Sequence, residues 1–263
     1  MVWFHLHHLP VAICVTLVLA FGISYAISAG MGQVCEVFPF ISDTGTFPPA
    51  SCVFGQLLNI GACLAAVTMY VWYTQQLDQY ENAGNPRWHT TYAKVSLGFG
   101  LISALGISLV GNFQETSQFV MHIIGAEFTF VLGTVYSLLI GHATRVHLNS
   151  PKWLKITRIS LSIVALVCCV FMIVVPAVVG GELVSPLDPK KPCKELGLHR
   201  KLCVTFEWLL AFSFFAFLLT MSYELRDYKL EPIKVKPRPR RNRQQTVNEE
   251  DDLESDTSEE SEA

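Results

Sequence analysis

The chain has no lysine or arginine before Arg87, and charge is scarce through most of its length. Of 263 residues, 16% are charged and 51% apolar, with a mean hydropathy of +0.38. Soluble domains carry about a quarter charged residues, so this composition excludes an ordinary soluble fold. What charge there is collects at one end: nine of the 22 acidic residues lie in Glu249–Glu262, and six basic residues lie in Lys234–Arg243. Other absences narrow the chemistry. There is no HExxH, no GxSxG, no phosphate-binding loop and no nucleophile paired with a base, so neither a catalytic residue nor a cofactor is expected. His122 and Glu127, five apart, do not share a helix face as i, i+4 ligands would, and no metal site is expected from them with Glu207. The basic run is too short to imply a nucleic-acid partner. Strand-type alternation is missing too, which excludes a transmembrane barrel. Asn149-Ser150 is followed by Pro151, so no glycosylation sequon reports the topology.

What the chain does have is long apolar runs. A spanning helix needs roughly 20 mostly apolar residues, and six segments qualify: Leu9–Ser28, Val53–Tyr73, Ala93–Val110, Val120–Ile140, Ile159–Val179 and Leu202–Met221. The predicted fold is all-α, a polytopic membrane protein. Residues 1–221 form a six-helix transmembrane bundle, and residues 222–263 a cytosolic tail, basic then acidic and disordered. The stretch SYAISAG resembles a signal-peptide cleavage site, but no basic segment precedes it and the run suits a spanning helix better. Small residues at Gly61 and Ala65, at Gly100 and Ala104, and at Gly125 and Ala126 suit close helix packing. Pro176 is expected to kink or end the fifth helix.

Two features set an expected orientation. Basic residues favour cytosolic loops. Placing both termini in the cytosol puts Arg87, Lys94, Arg145, Lys152, Lys155, Arg158 and the tail inside, and only the fifth loop resists, with Lys190, Lys191, Lys194, Arg200 and Lys201. Cysteines agree. Cys35, Cys52, Cys193 and Cys203 all fall in or beside loops on the predicted non-cytosolic side, where disulfides form. Cys35–Cys52 and Cys193–Cys203 would close two local loops, although four cysteines allow three pairings.

Charges inside a bilayer are costly and face a cavity or a partner. The predicted spans hold two acidic residues, Glu207 about 8 Å and Glu127 about 11 Å from the non-cytosolic end. Gln56 and Asn59 share a face near that end, His122 lies just inside the fourth helix, and Asp43, Asn112 and Gln114 occupy the loops above. Together they form a candidate lumenal polar pocket for a lipid headgroup, an ion or a proton. The alternative is interhelical hydrogen bonding that fixes the bundle without a ligand. The cytosolic half offers few polar side chains.

The tail suggests two roles. Lys234, Lys236, Arg238, Arg240, Arg241 and Arg243 form a basic patch able to hold anionic membrane lipids. Ser255, Thr257, Ser258 and Ser261, set among carboxylates, are phosphorylation candidates, and phosphate there would weaken membrane adhesion. Protein partners could also bind through the tail.

Several stretches carry a family resemblance: PFISDTGTFPPASCVFGQLLN (39–59), AVTMYVWY (66–73), GNFQET (111–116), the pattern His122–Gly125–Ala126–Phe130, and FEWLLAFSFFAFLLT (206–220). In order and spacing the chain resembles the DNA-damage-regulated autophagy modulator (DRAM) family. That family lies within a wider Frag/DRAM/Sfk group with the TMEM150 proteins and GPI-anchor remodelling factors. The resemblance implies six membrane helices and promotion of autophagy. It implies residence in lysosomal, endosomal or other endomembranes or the plasma membrane. Its branches leave two other functions open, a channel or mechanosensitive channel component and a lipid-remodelling factor. Asp43, Gly45, Pro48, Asn59, Asn112, Gln114, His122 and Glu207 match the family pattern, whereas Glu127 stands where an apolar residue is usual. Residues 38–52, with Pro39, Pro48, Pro49, Gly45 and a Cys35–Cys52 bridge, are expected to form a rigid lid or recognition surface.

Overall fold

The structure, a computed structural model, describes residues 5–34, 37, 39–84, 86–179 and 198–230. Among the described residues all regular structure is helical: α1 (His8–Gly30), α2 (Ala50–Asn82), α3 (Trp88–Asn112), α4 (Phe119–Glu127), α5 (Gly133–Val146), α6 (Lys152–Val179) and α7 (Leu198–Glu224). Short 3-10 turns cover Ser42–Gly45 and Leu225–Asp227, and a π-helical stretch, Phe128–Leu132, joins α4 to α5. Six helical spans are long and apolar enough to cross a membrane, α4, the π stretch and α5 together forming the fourth. The chain is an integral membrane protein.

Local chemistry fixes the helix ends. Pro10 sits in the first turn of α1, where a missing N–H costs nothing. Gly32 (φ 65°) and Gly84 (φ 63°) adopt the left-handed conformation just beyond α1 and α2, which suits glycine best. Every helix outruns its predicted apolar core. α2 has 33 residues where the sequence predicts Val53–Tyr73, a length of about 50 Å against about 30 Å of hydrocarbon. Its last turns bury Gln75, Gln76 and Tyr80 against protein. α7 runs through Glu224, past the predicted boundary at residue 221, and so carries that carboxylate into the bundle.

Each span packs on its sequence neighbours, and α7 closes the ring onto α1. One end of the bundle, called the cap end, carries residues 39–49; the other, the base end, carries the last turn of α7. The core runs through the ring and includes Ile13, Leu17, Phe54, Leu58, Trp72, Phe215 and Met221. The fourth span breaks the even packing. Its cap half, α4, packs on α3, while its base half, α5, packs on α3 and on α6. α3 and α4 meet backbone to backbone: a Cβ on Gly106 would lie 2.6 Å from the Gly125 carbonyl oxygen and the Thr129 amide nitrogen. Just below, Thr129 Oγ1 donates to Gly125 O (2.9 Å) where the π turn begins. Leaning on α3, α4 leaves space towards α6 and α7.

Candidate functional site

The first loop folds down into the cap end. In its 3-10 turn, Asp43 Oδ2 accepts the Phe40 N–H (3.2 Å), and Thr44 Oγ1 donates to Ile41 O (2.7 Å). Gly45 lies against the Phe54 ring, so no side chain would fit there. Two consecutive α7 residues hold the loop backbone: Glu207 Oε2 accepts the Ile41 N–H (2.8 Å), and Trp208 Nε1 donates to Pro39 O (3.1 Å). Arg200 Nη2 pairs with Asp43 Oδ2 at 3.0 Å, with its guanidinium 5.0 Å from the Phe40 ring centre. Ser42 Oγ donates to Glu115 Oε2 (3.4 Å). Asp43 is only 3% exposed and Glu207 5%. Burial first, then the neighbouring Glu115 carboxylate, push the Asp43 carboxyl up to about 7 against the pull of Arg200.

Beneath this lid lies a cavity of about 460 Å³, within the usual range for ligand sites. Asp43, Glu115, His122, Arg200 and Glu207 line its cap end. Deeper, the walls are mostly apolar, with Leu17, Met69, Phe130, Ile173, Phe214 and Leu218 among them and Ser103 and Ser137 as polar exceptions. Ile123 and Ile173 line the cavity yet are 38% and 46% exposed, so it reaches the outer surface between α4 and α6. Glu127, also exposed, stands at this side opening. Far from the lid, the buried Tyr136 hydroxyl lines the same cavity without a hydrogen-bond partner.

The eight predicted pocket residues therefore separate into two places. Asp43, His122, Glu127 and Glu207 line the large cavity. Gln56, Asn59, Asn112 and Gln114 line a smaller one of about 250 Å³ between α2 and the end of α3. There Asn59 and Asn112 bond to each other, Nδ2 to Oδ1 at 3.1 and 2.9 Å, and Ser108 Oγ donates to Asn59 Oδ1 (2.6 Å). These groups satisfy one another, as interhelical hydrogen bonds do. His122 contacts Phe113 O through Nδ1 (2.7 Å) and so ties the α3–α4 loop to α4. Among the described residues no group of three or more histidines, cysteines or acids is placed to hold a metal ion. Cys52 and Cys203 are free thiols among the described residues, the first exposed and the second buried. Their expected partners Cys35 and Cys193 lie outside the described residues, as do the tail's basic patch and phosphorylation candidates.

Sequence reasoning missed Glu115 and Arg200 at the cap, and it missed the base end almost entirely. Far from lacking polar groups, the base end buries Arg158 and Glu224 as an ion pair at 2.8 Å. Arg158 also donates through Nε to Thr220 Oγ1 (2.9 Å) and through Nη1 to Thr144 Oγ1 (2.8 Å). Trp72 Nε1 and Ser150 Oγ donate to the two Glu224 oxygens at 2.9 and 3.0 Å. The guanidinium lies 5.3 and 5.9 Å from the centres of the Trp72 and Phe217 rings.

A ring of six spans with a lidded, side-opening cavity defines a polytopic helical membrane protein of a small, single-bundle type. The chain belongs to the Frag1/DRAM/Sfk1/Cwh43P family, whose N-terminal domain matches residues 5–228. It is 33% identical over 245 residues to the bovine (Bos taurus) DNA damage-regulated autophagy modulator protein 2, covering 89% of this chain and 88% of the relative. It is 34% identical over 216 residues to the human DNA damage-regulated autophagy modulator protein 1, covering 80% and 87%. It is also 38% identical over 180 residues to the human modulator of macroautophagy TMEM150B, covering 66% and 74%. No solved structure matches.

Proposed function

We propose that the chain is a non-enzymatic modulator of autophagy in a lysosomal, endosomal or other endomembrane, acting by holding a membrane amphiphile in the cavity beneath its lid. The cavity carries this reading: mostly apolar walls open sideways between α4 and α6, and the ionisable groups Asp43, Glu115, Arg200 and Glu207 gather at its cap end. That is the shape of a site for a molecule with a chain and a head, entering from the bilayer. The unpartnered Tyr136 hydroxyl supports it, because a buried polar group without a partner is costly and an occupant can supply one. The names of the relatives support the autophagy part, and the basic-residue count supports cytosolic termini with the lid in the lumen. On this reading the head end faces the lumen, and lid and side opening report occupancy to partners.

The test is autophagic flux and location in cells lacking the chain, rescued by the wild type or by Phe130→Trp with Phe214→Trp, which fills the cavity. The expected result is rescue by the wild type and not by the filled variant, with both in the same endomembrane. Equal rescue by the two would overturn the cavity's role.

A further inference from the structure

We propose that the amphiphile held in this cavity carries a protonated amine as its head. The proposal rests on the amphiphile reading and adds its chemistry. Three carboxylates, Asp43, Glu115 and Glu207, converge on the cap end of the cavity, and Arg200 is the only lysine or arginine lining it among the described residues. That guanidinium is already engaged by Asp43 Oδ2 and by the face of Phe40.

The neutral groups point the same way. Phe113 O can only accept, so His122 Nδ1 carries the proton in that contact and Nε2 of the neutral ring is left as an acceptor. Glu207 commits one oxygen to the Ile41 N–H and Glu115 one to Ser42, leaving each carboxylate with acceptor capacity. At the head end acceptor-bearing carboxyl groups outnumber the one cation, which is already paired with Asp43. A phosphate or carboxylate head would bring an anion against three carboxyl groups, with one cation, already paired, to meet it. An uncharged hydroxyl would bring no positive charge to carboxyl groups that outnumber the one guanidinium. An ammonium brings one positive charge and up to three N–H donors. It meets the carboxylates in short charge-assisted bonds, while its chain fills the apolar wall running from Leu17 and Met69 to Phe214 and Leu218. A quaternary head has no N–H to give and calls for an aromatic cage. The Phe40 face at the mouth is already taken by Arg200.

The experiment uses the full chain in phosphatidylcholine nanodiscs with radiolabelled octadecylamine, octadecanol and octadecanoate, which share a chain and differ in the head. The expected result is octadecylamine bound at least tenfold more tightly than the other two. Glu207→Gln, which keeps an acceptor for the Ile41 N–H, and Asp43→Asn should each cut that preference about tenfold. Both variants should keep the wild-type helical far-UV circular dichroism and elution volume, which shows that the bundle is still folded. Equal binding of the three probes, or preference for octadecanoate, would overturn the amine head and leave the amphiphile reading standing. Failure of all three to bind would overturn both. Displacement by ethylamine as effective as by octadecylamine would make this a site for free amines and refute the proposal. A last arm separates the lipid sources. Competition by phosphatidylethanolamine, or by a long-chain base such as sphingosine, beyond that by phosphatidylcholine supports the proposal and identifies which lipid class supplies the amine. Equal competition by phosphatidylcholine would refute it.

Discussion

The two ends of the bundle handle buried charge in opposite ways. At the base end one cation meets one anion, and threonine, serine and tryptophan side chains supply the remaining partners, with the Trp72 and Phe217 rings beside the guanidinium. At the cap end three carboxylates face one guanidinium around a cavity. A saturated cluster is a clamp, and an unsaturated one beside apolar space is what we propose as a binding site. Both are made of residues that a hydropathy scan scores as interruptions, so what separates them is the balance of donors and acceptors.

The largest effect is expected where the clamp is broken. Arg158→Met leaves Glu224 buried without its cation, and loss of one partner of such a pair costs about 3–5 kcal/mol. A large fall in the thermal unfolding midpoint in detergent would show this. Arg158→Met with Glu224→Leu should recover most of the loss, because an apolar pair of similar volume is often neutral or better. A single variant as stable as the wild type would remove the distinction between the ends. Next comes the close contact that tilts α4 onto α3. Gly106→Ala puts a methyl into backbone and should cost about 1–3 kcal/mol, whereas Gly98→Ala in the same helix meets nothing within 4 Å and should be neutral or slightly stabilising.

Smaller effects belong to the cap. With the Asp43 carboxyl raised from 3.8 to about 7, the folded chain holds a proton there that the unfolded chain has released. This contribution to stability is full below about pH 3.8 and is lost as the pH rises through about 7. Unfolding midpoints followed from pH 4 to pH 8 should show that slope flattened in Asp43→Asn, and an unchanged slope would assign it to another group. The smallest effect is expected at the second cavity. Asn59→Ala removes bonds of a kind worth about 0.6 kcal/mol on average and should shift the midpoint only slightly.

How far this architecture could be read from the sequence follows the same division. Apolar runs of spanning length announce the six helices, because a membrane demands them. The loop around Asp43 was legible as an ordered segment through its prolines and Gly45, and Glu207 as a carboxyl group facing a cavity or a partner through its cost inside a bilayer. Pairing was not legible. Arg200 looked like one of five basic residues that defied the orientation rule, yet its charge meets Asp43, a residue 157 positions away in the chain. Arg158 read as a loop charge and Glu224 as part of the tail, because hydropathy dips before a helix actually ends and only tertiary contact shows that both lie inside. Gln56 and Asn59 were placed with Glu207 because they lie near the same membrane face. Depth along a helix does not say which side of the ring a residue faces: Asn59 bonds to α3, and Gln56 lines the same small cavity beside it.

The central claim is that an amphiphile's chain lies inside the bundle. Octadecylamine with a photoreactive diazirine at mid-chain, crosslinked to the protein in phosphatidylcholine vesicles, tests it directly. The account predicts labelling of Phe130, Ile173 and Phe214 on the cavity wall, abolished by excess unlabelled octadecylamine. Labelling confined to outward-facing residues such as Val15, Val18, Val167 and Val170, undiminished by competitor, would contradict it.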